Sequence, residues 1–366
     1  MSELFRRAIA DLVPYEPGKP VEEVQRELGL DRVVKLASNE GPYGPFPTAV
    51  AAIERAMRDL NRYPDGGAWA LRAALAERHG VRLEEVVVGG GADAVIDWLA
   101  QATLDPGDEI VCGWPSFASY VLTAAKLGAT ATTVPLVDHV YDLDGLLAAI
   151  TPRTKLVYVC HPNNPTGTGN GAAELRSFFE RVPKHVLTVL DQAYFEYIDD
   201  PDYLDGLDLF REGRRVVVLR TFSKIYGLAG ERVGYGIAPA DVVTATSKVR
   251  RAFEVTSTAQ AAALASLDDA AELARRRAEN LEGLARLDTI LRAHGLEPAG
   301  PALGNFLFVE VGDGRAVFEQ LLRKGVIVRP LTGFGAPGAI RITVGTEDEL
   351  GALDAALADV LSAVSS

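Results

Sequence analysis

Lys224 has the sequence surroundings that most favour chemistry in this chain of 366 residues. It follows the strand-like segment VVVLR, residues 216–220, and lies among Phe222, Ile225 and Tyr226. Burial lowers the pKa of a lysine and makes its amine a nucleophile for carbonyl compounds. A single lysine is more often a solvated side chain, but these apolar neighbours favour a buried amine.

Asp191 is a second candidate because it ends the apolar run of residues 186–191. A buried carboxylate is costly unless a cationic group compensates it. The carboxylate could fix a protonated ring nitrogen, with Tyr194 on the same side of the site. The alternative is an ordinary helix N-cap.

A glycine-rich turn at residues 89–93 joins a predicted strand to a predicted helix. Free N–H groups at a helix start bind phosphate, and an ordinary turn is the alternative. The turn lacks the complete GxGxxG pattern of dinucleotide sites. Thr221 and Ser223 add hydroxyl groups near Lys224, and Arg232 adds a charge that can bind phosphate through two hydrogen bonds.

The loop HPNNPTG, residues 161–167, also follows an apolar run. Two prolines and a glycine favour a tight irregular loop, and Asn164 offers amide donors and acceptors. Phe117, or Trp114, follows another strand and could stack on a flat ring. A phosphorylated aldehyde cofactor requires a lysine, an acidic partner for its ring nitrogen, a phosphate cradle and a stacking surface, which these segments together could supply.

Continuous apolar runs that alternate with helical patterns predict an α/β fold with a mostly parallel sheet. In such a sheet, ligands bind beyond the carboxyl ends of the strands, where the four segments lie. The predicted strands are residues 86–89, 109–112, 131–134, 155–160, 186–191 and 216–220.

The chain is expected to divide into three parts. Residues 1–40 are rich in proline and predict an arm that packs with the small domain. Residues 41–260 form the large domain. Residues 261–366 form a smaller α+β domain, in which residues 259–294 predict one long helix and short strands follow at 306–309, 326–328 and 340–343.

The formal net charge of −13 argues against non-specific binding to nucleic acid or to an anionic membrane, since both require a basic surface. Cys112 and Cys160 lie in apolar runs and are expected to be reduced core thiols. The five histidines are scattered, so we expect no metal site. The N-terminus lacks an apolar signal core, which predicts a soluble, cytoplasmic protein.

The order of motifs along the chain resembles the fold-type-I pyridoxal-phosphate aminotransferases, and more narrowly the histidinol-phosphate aminotransferase family. The resemblance runs nearly end to end. It is carried by PYEPGKPVEEVQRELG, KLASNEGPYGP, NRYPDGG, GGGAD, NNPTG, DQAYFEY, SKIYGLAG, VIVRPLTGFG and IRITVGT.

The resemblance implies roles for the candidate residues. Lys224 would form the internal aldimine with the cofactor and move the proton at the substrate α-carbon. Asp191 would keep the pyridine nitrogen protonated, Tyr194 and Asn164 would contact the ring hydroxyl, and Phe117 would stack on the ring.

The resemblance also implies contacts with phosphate and substrate. Tyr63 would reach the cofactor phosphate of a neighbouring subunit, which implies a homodimer. Arg341 would bind the substrate α-carboxylate, Arg329 would bind the substrate phosphate or the second carboxylate of glutamate, and Tyr15 would close over the substrate. An arginine on a strand is otherwise most often part of a structural ion pair. The cofactor phosphate would be held by Ala92, Asp93, Thr221, Ser223 and Arg232.

Three positions depart from the usual pattern of the family. Gly41 stands in the entry loop, Gln192 replaces a usual glutamate, and Glu231 stands beside Arg232 where leucine is common. None of these changes removes a catalytic group, although a carboxylate beside Arg232 could weaken the phosphate clamp.

The reaction implied is L-histidinol phosphate plus 2-oxoglutarate giving imidazole-acetol phosphate plus glutamate, a step of histidine biosynthesis, by a ping-pong cycle. Three alternatives are an aromatic-amino-acid aminotransferase, a threonine-phosphate decarboxylase and a non-catalytic regulator. The acidic charge and the lack of residues for a DNA-binding domain argue against the regulator. A nicotinamide-dependent dehydrogenase is disfavoured by the missing fingerprint.

Overall fold

The computed structural model describes residues 4–10, 12 and 18–364, with side chains as far as residue 361. Tyr15 lies outside the described residues. The strands are β1 (Val34–Lys35), β2 (Val86–Gly89), β3 (Glu109–Trp114), β4 (Thr130–Pro135), β5 (Thr154–Cys160), β6 (Leu187–Asp191), β7 (Val216–Thr221), β8 (Gly234–Ile237), β9 (Phe306–Glu310), β10 (Val326–Ile327), β11 (Arg329–Pro330) and β12 (Ala339–Thr343).

The helices have the lengths expected of a layered α/β protein, and none in the described ranges is long and apolar enough to cross a membrane. They are α1 (Arg7–Ala10), α2 (Val21–Leu28), α3 (Pro47–Ala56), α4 (Trp69–His79), α5 (Ala92–Thr103), α6 (Ser119–Leu127), α7 (Leu143–Ala149), α8 (Ala172–Arg181), α9 (Gly206–Arg211), α10 (Ala240–Ser247), α11 (Ser257–Leu267), α12 (Ala270–Ala293), α13 (Gly314–Arg323) and α14 (Glu347–Val364).

A seven-stranded sheet in the order β2-β8-β7-β6-β5-β3-β4 forms the centre of the larger unit. Every residue of β6 and β7 is buried, which explains their continuous apolar sequence. Strand β8 is antiparallel to both of its neighbours, β2 and β7, and the other pairs are parallel. The predicted α/β class with a mostly parallel sheet is therefore confirmed.

A second core lies in the C-terminal part of the chain. Strands β11, β12 and β9 form an antiparallel sheet, and α12, α13 and α14 contribute to the same core. The N-terminal strand β1 pairs in parallel with β10, so Val34 lies opposite Val326. Val24 and Leu36 also pack in this core, which joins the N-terminal segment to the C-terminal part of the chain.

The predicted single helix over residues 259–294 is wrong. The structure has two helices, α11 and α12, and the Asp269 side chain between them accepts a hydrogen bond from the backbone N–H of Glu272. An aspartate in this position caps a new helix. Helix α11 packs against α3, and its residues Ala262 and Leu267 belong to the larger core. The larger core thus extends past residue 260, and the domain boundaries stay a prediction.

Strand β8 is a further difference, because its short sequence GYGI carries two glycines and gives little strand signal. The structure requires glycine at both positions. A Cβ at Gly234 would lie 2.4 Å from the backbone nitrogen of Ala92, and one at Gly236 would crowd Val87 and Leu219. The glycines therefore allow β8 to lie close to the neighbouring backbone. Cys112 and Cys160 are both buried and free, as expected, and burial raises the pKa of the Cys112 thiol to about 12.

Candidate active site

The candidate residues converge because parallel strands end at one edge of the sheet. Phe117 follows β3, Asn164 follows β5, Asp191 ends β6 and Lys224 follows β7. These four strands are hydrogen-bonded neighbours with parallel registers. The edge therefore brings together side chains that are more than a hundred residues apart in sequence.

The phosphate-binding candidates reach the same edge through the antiparallel strand β8. Gly234 at the start of β8 lies opposite both Thr221 at the end of β7 and Gly89 at the end of β2. Arg232, which precedes β8, is thereby placed beside the glycine-rich turn that begins α5. One antiparallel strand thus adds a cation and a helix N-terminus to the edge.

A cavity of about 90 Å³ opens between this edge and the C-terminal sheet. The larger unit contributes an amine, a phenol and an amide to its lining, and the C-terminal part of the chain contributes two arginines. The predicted residues that line it are Phe117, Asn164, Tyr194, Lys224, Arg329 and Arg341. The sequence analysis did not predict Ser38, Asn39 or Phe334, which also line it.

The Lys224 amine lines this cavity. Burial, together with the nearby charges of Arg341 and Arg232, lowers its pKa to about 7 against the opposing effects of Glu40 and Asp191. Its Nζ donates a hydrogen bond of 3.4 Å to the Ser38 carbonyl oxygen. A large fraction of the amine is therefore neutral near pH 7, as a nucleophile or general base requires.

The Asp191 carboxylate is 3% exposed and forms no ion pair with any residue that the structure describes. Its Oδ2 accepts a hydrogen bond of 2.6 Å from the Tyr120 hydroxyl, and its Oδ1 accepts one from the Ala193 backbone N–H. Burial raises its pKa, against the lowering effect of these hydrogen bonds. The carboxylate is oriented but lacks a counter-charge, which a protonated ring nitrogen would supply.

Tyr194 is held by a residue from the N-terminal segment. The Asn39 amide donates a hydrogen bond of 2.8 Å to the Tyr194 hydroxyl, and the Asn39 carbonyl oxygen atoms accept bonds from Thr343 and Asn305. Asn39 adopts a positive φ of 55°, which places its side chain in this network. Burial raises the pKa of Tyr194, so its hydroxyl stays protonated.

The glycine-rich turn before α5, residues 89–91, forms a cradle, a concave space that side chains at these positions would fill. Gly91 has a φ of 87°, and a Cβ there would lie 2.7 Å from Arg232 Nη2. No side chain caps the helix start at Ala92 and Asp93, so its N–H groups have no side-chain acceptor. Arg232 Nη1 lies 3.4 Å from the Ser223 hydroxyl, and the Thr221 hydroxyl accepts from the Ser223 backbone N–H. This donor set suits a phosphate group.

Arg329 and Arg341 are register partners on the adjacent strands β11 and β12, and both are buried. Arg341 donates to the Asn164 side-chain oxygen and to the Ala37 carbonyl oxygen. Both guanidinium groups lie over the Phe334 ring, at 5.3 and 5.6 Å from its centroid. Two adjacent buried cations in one cavity suit the binding of anionic groups.

Tyr63 is not brought to this cavity. Its side chain is 83% exposed and stacks on Phe253 with ring centroids 4.7 Å apart. Trp114, the alternative stacking residue, lies against Gly335 rather than in the cavity lining. Phe117 lines the cavity beside Lys224.

Residues 31–357 match the family model for aminotransferases of class I and II. The chain belongs to this family. It is 46% identical over 359 residues to a histidinol-phosphate aminotransferase of Moorella thermoacetica, with 98% of this chain and 93% of that protein covered. It is 48% identical over 344 residues to a histidinol-phosphate aminotransferase of Akkermansia muciniphila, with 93% and 94% covered.

Solved structures agree with the fold of this aminotransferase. A histidinol-phosphate aminotransferase of Sinorhizobium meliloti in complex with pyridoxal 5'-phosphate has a TM-score of 0.89 at 29% identity, with 100% of this chain and 99% of that chain covered. An aspartate aminotransferase mutant from Thermus thermophilus has a TM-score of 0.83 at 25% identity, with 98% of both chains covered. The predicted family, fold type and enzyme class, a transaminase that depends on pyridoxal phosphate, are confirmed.

The residues of this aminotransferase fit pyridoxal phosphate. The glycine cradle leaves room where a side chain would clash with Arg232, the buried Asp191 lacks a counter-charge, and the Lys224 amine is close to neutral. These features match the phosphate, the ring nitrogen and the aldehyde of the cofactor.

The sequence analysis missed two positioning residues of the enzyme. Tyr120 lies one helical turn after Phe117, and this spacing was a usable signal that its side chain faces the same edge. Asn39 offered a weaker signal, because its bond to Tyr194 spans 155 residues and follows only from the tertiary fold.

Proposed function

We propose that this aminotransferase moves an amino group from L-histidinol phosphate to 2-oxoglutarate, giving imidazole-acetol phosphate and L-glutamate. The supporting observation is that the two buried cations Arg329 and Arg341 share one cavity with the Lys224 amine. A phosphate on one substrate and the second carboxylate of the other could use the same arginines in turn. The names of the similar relatives support the same substrate and a place in histidine biosynthesis.

We assign the cofactor contacts from the geometry of the larger unit. Ala92 and Asp93 would hold the phosphate through backbone N–H groups, and Thr221, Ser223 and Arg232 through side chains. Phe117 would cover one face of the ring. Bound pyridoxal phosphate supplies a conjugated ring that accepts electrons from the bond broken at the substrate α-carbon.

The chain's own residues perform the remaining tasks. Asp191 holds the ring nitrogen in its protonated form, and Tyr120 fixes the orientation of this carboxylate. Tyr194 and Asn164 donate hydrogen bonds at the ring hydroxyl. The Lys224 amine, with a pKa of about 7, would take the proton from the substrate α-carbon as a general base and later act as the proton donor. Arg341 would orient the α-carboxylate of glutamate, and Arg329 would bind the phosphate of histidinol phosphate or the second carboxylate of glutamate. Tyr15, which lies outside the described residues, remains the proposed cover of the site.

We propose further that two copies of the chain form the working enzyme, so that Tyr63 reaches the cofactor phosphate of its partner. Several large apolar side chains near Tyr63 are exposed, which is typical of a surface covered by another protein. They are Met57, Leu60, Trp69 and Phe253. Light scattering of the purified protein should give twice the chain mass of 39.1 kDa, and a monomer at micromolar concentration would reject this part of the proposal. The cytoplasmic location also stays a prediction.

The substrate is tested by following cofactor absorbance during single half-reactions. L-histidinol phosphate, L-phenylalanine, threonine phosphate and L-glutamate are added separately to the cofactor-loaded enzyme. The proposal requires the fastest conversion to the amine form with histidinol phosphate. Faster conversion with phenylalanine would identify an aromatic-amino-acid aminotransferase, and carbon dioxide release from threonine phosphate would identify a decarboxylase.

The variant Arg329→Ala tests the arginine that carries the proposal. Loss of one buried charge-assisted contact should raise KM for histidinol phosphate at least about tenfold. The half-reaction with an amino acid that lacks a distal anionic group should change much less. An equal loss with both substrates would show that Arg329 supports the fold rather than the substrate.

A further inference from the structure

Glu254 lies against the glycine-rich turn that forms the phosphate cradle. A Cβ at Gly90 would lie 2.9 Å from Glu254 Oε1. On the next residue, Gly91, a Cβ would lie 2.7 Å from Arg232 Nη2. Glu254 and Arg232 therefore each lie against one of two consecutive glycines of this turn.

The Glu254 carboxylate is only partly satisfied by its surroundings. Its Oε2 is buried without a hydrogen-bond partner, and the described residues provide no ion pair for it. The side chain as a whole is partly exposed, but the buried oxygen has no donor to offset its negative charge toward groups at the turn.

Glu231, next to Arg232 in sequence, is placed differently. Its Oε2 accepts a hydrogen bond of 2.8 Å from the Thr258 hydroxyl on α11. This carboxylate, which the sequence alone marked as the one that could weaken the phosphate clamp, is thus engaged elsewhere. The unengaged carboxylate beside the cradle is Glu254.

The backbone fixes Glu254 in this position. The preceding residue, Phe253, has a φ of 59°, a conformation that bulky side chains rarely adopt. Its ring stacks on Tyr63, and Val255 after it is buried in the larger core. Glu254 therefore follows a residue with a constrained backbone and precedes a buried one.

We propose that Glu254 lowers the affinity of the cradle for a phosphate dianion, and so sets how readily this enzyme releases its phosphorylated cofactor. The inference rests on the cofactor assignment made above. Like charges a few ångströms apart in a partly buried site repel strongly. The glycine turn and Arg232 bind the phosphate, and Glu254 opposes them from behind the turn.

The test measures cofactor binding rather than turnover. Wild type, Glu254→Gln and the matched control Glu231→Gln are loaded with pyridoxal phosphate, and the release rate is followed after dilution. Affinities of the stripped proteins for pyridoxal phosphate, inorganic phosphate and unphosphorylated pyridoxal are measured by tryptophan fluorescence. The proposal requires Glu254→Gln to bind both phosphate compounds about tenfold more tightly, release cofactor more slowly and leave pyridoxal affinity unchanged. Glu231→Gln should change phosphate affinity less than about twofold.

A second variant separates charge from shape. Glu254→Asp keeps the charge and shortens the side chain, so it should stay close to wild type. Unchanged phosphate affinity in Glu254→Gln, equal tightening for pyridoxal, or equal tightening in Glu254→Asp would overturn the inference. Failure of the wild type itself to bind pyridoxal phosphate would instead reject the proposed function.

Discussion

Two groups of buried charged side chains lie side by side in the larger unit. One group is held by ion pairs, and the other has only neutral hydrogen-bond partners. Arg220 on β7 is 2% exposed and lies 2.7 Å from Asp205 and 3.7 Å from Glu196. Its guanidinium also covers the Phe195 ring at 3.3 Å. Four residues further along the chain, Lys224 lies in the cavity with a carbonyl oxygen as its nearest acceptor, and Asp191 accepts only neutral hydrogen bonds.

The difference distinguishes buried charges that stabilise the fold (structural charge) from buried charges that are available for chemistry (chemical charge). Around Arg220, attraction between opposite charges offsets part of the desolvation cost, although burial still raises the pKa of Glu196. Around Lys224 and Asp191 the desolvation cost remains, and it shifts both pKa values away from their usual range. Buried groups left without counter-charges have the properties that a cofactor and a proton transfer can use.

The largest expected effect follows from removal of the Lys224 amine. Lys224→Ala should reduce turnover by at least about a thousandfold, since no neighbouring residue can replace the nucleophile and base. The thermal unfolding midpoint of the cofactor-free protein should not fall, because a desolvated amine is removed. Lys126→Ala, an exposed lysine on α6, serves as the control and should retain full activity. Substantial turnover in Lys224→Ala would contradict the mechanism.

A pair of matched substitutions then compares the two groups directly. Asp191→Asn should lower kcat about a hundredfold or more, with little loss of stability. Asp205→Asn should do the reverse, because it breaks the Arg220 ion pair and costs about 2 kcal/mol of unfolding free energy. Steady-state kinetics and urea denaturation of both variants measure the contrast. If both variants lose activity and stability in the same proportion, the division into chemical and structural charge fails.

The two groups also differ in how far they could be predicted from sequence. Lys224 and Asp191 end apolar runs, and the parallel sheet makes strand ends converge, so local pattern and fold class together predict that they meet. The Arg220 network was not predicted, because Glu196 and Asp205 lie on irregular segments whose position depends on tertiary packing. Asn39 was missed for the same reason. The break between α11 and α12 escaped prediction because helix propensity masks a single capping aspartate.

The pH dependence of cofactor uptake tests the lowered pKa of the Lys224 amine and does not depend on the Arg220 group. With a pKa of about 7, the amine gains a proton below pH 7 and loses its nucleophilicity. The uptake rate of pyridoxal phosphate should therefore fall about tenfold per pH unit below 7 and level off above it. Stopped-flow absorbance between about pH 5.5 and 9 would record this dependence. A rate that continues to climb as the pH approaches the ordinary lysine value of 10.5 would show that the amine is not desolvated.

The smallest expected effect concerns Gln192, which lies between the two groups. Its side-chain nitrogen donates to the Leu204 carbonyl oxygen, and its Oε1 accepts from Gly206 and, at 3.3 Å, from Arg220. Gln192→Glu would remove the donor to Leu204 and add a third carboxylate around one guanidinium. We expect a loss of about 1 kcal/mol in unfolding free energy and a change in kcat of less than about threefold. A larger change in kcat would mean that the Arg220 network reaches Asp191 electrostatically, and that the two groups act as one.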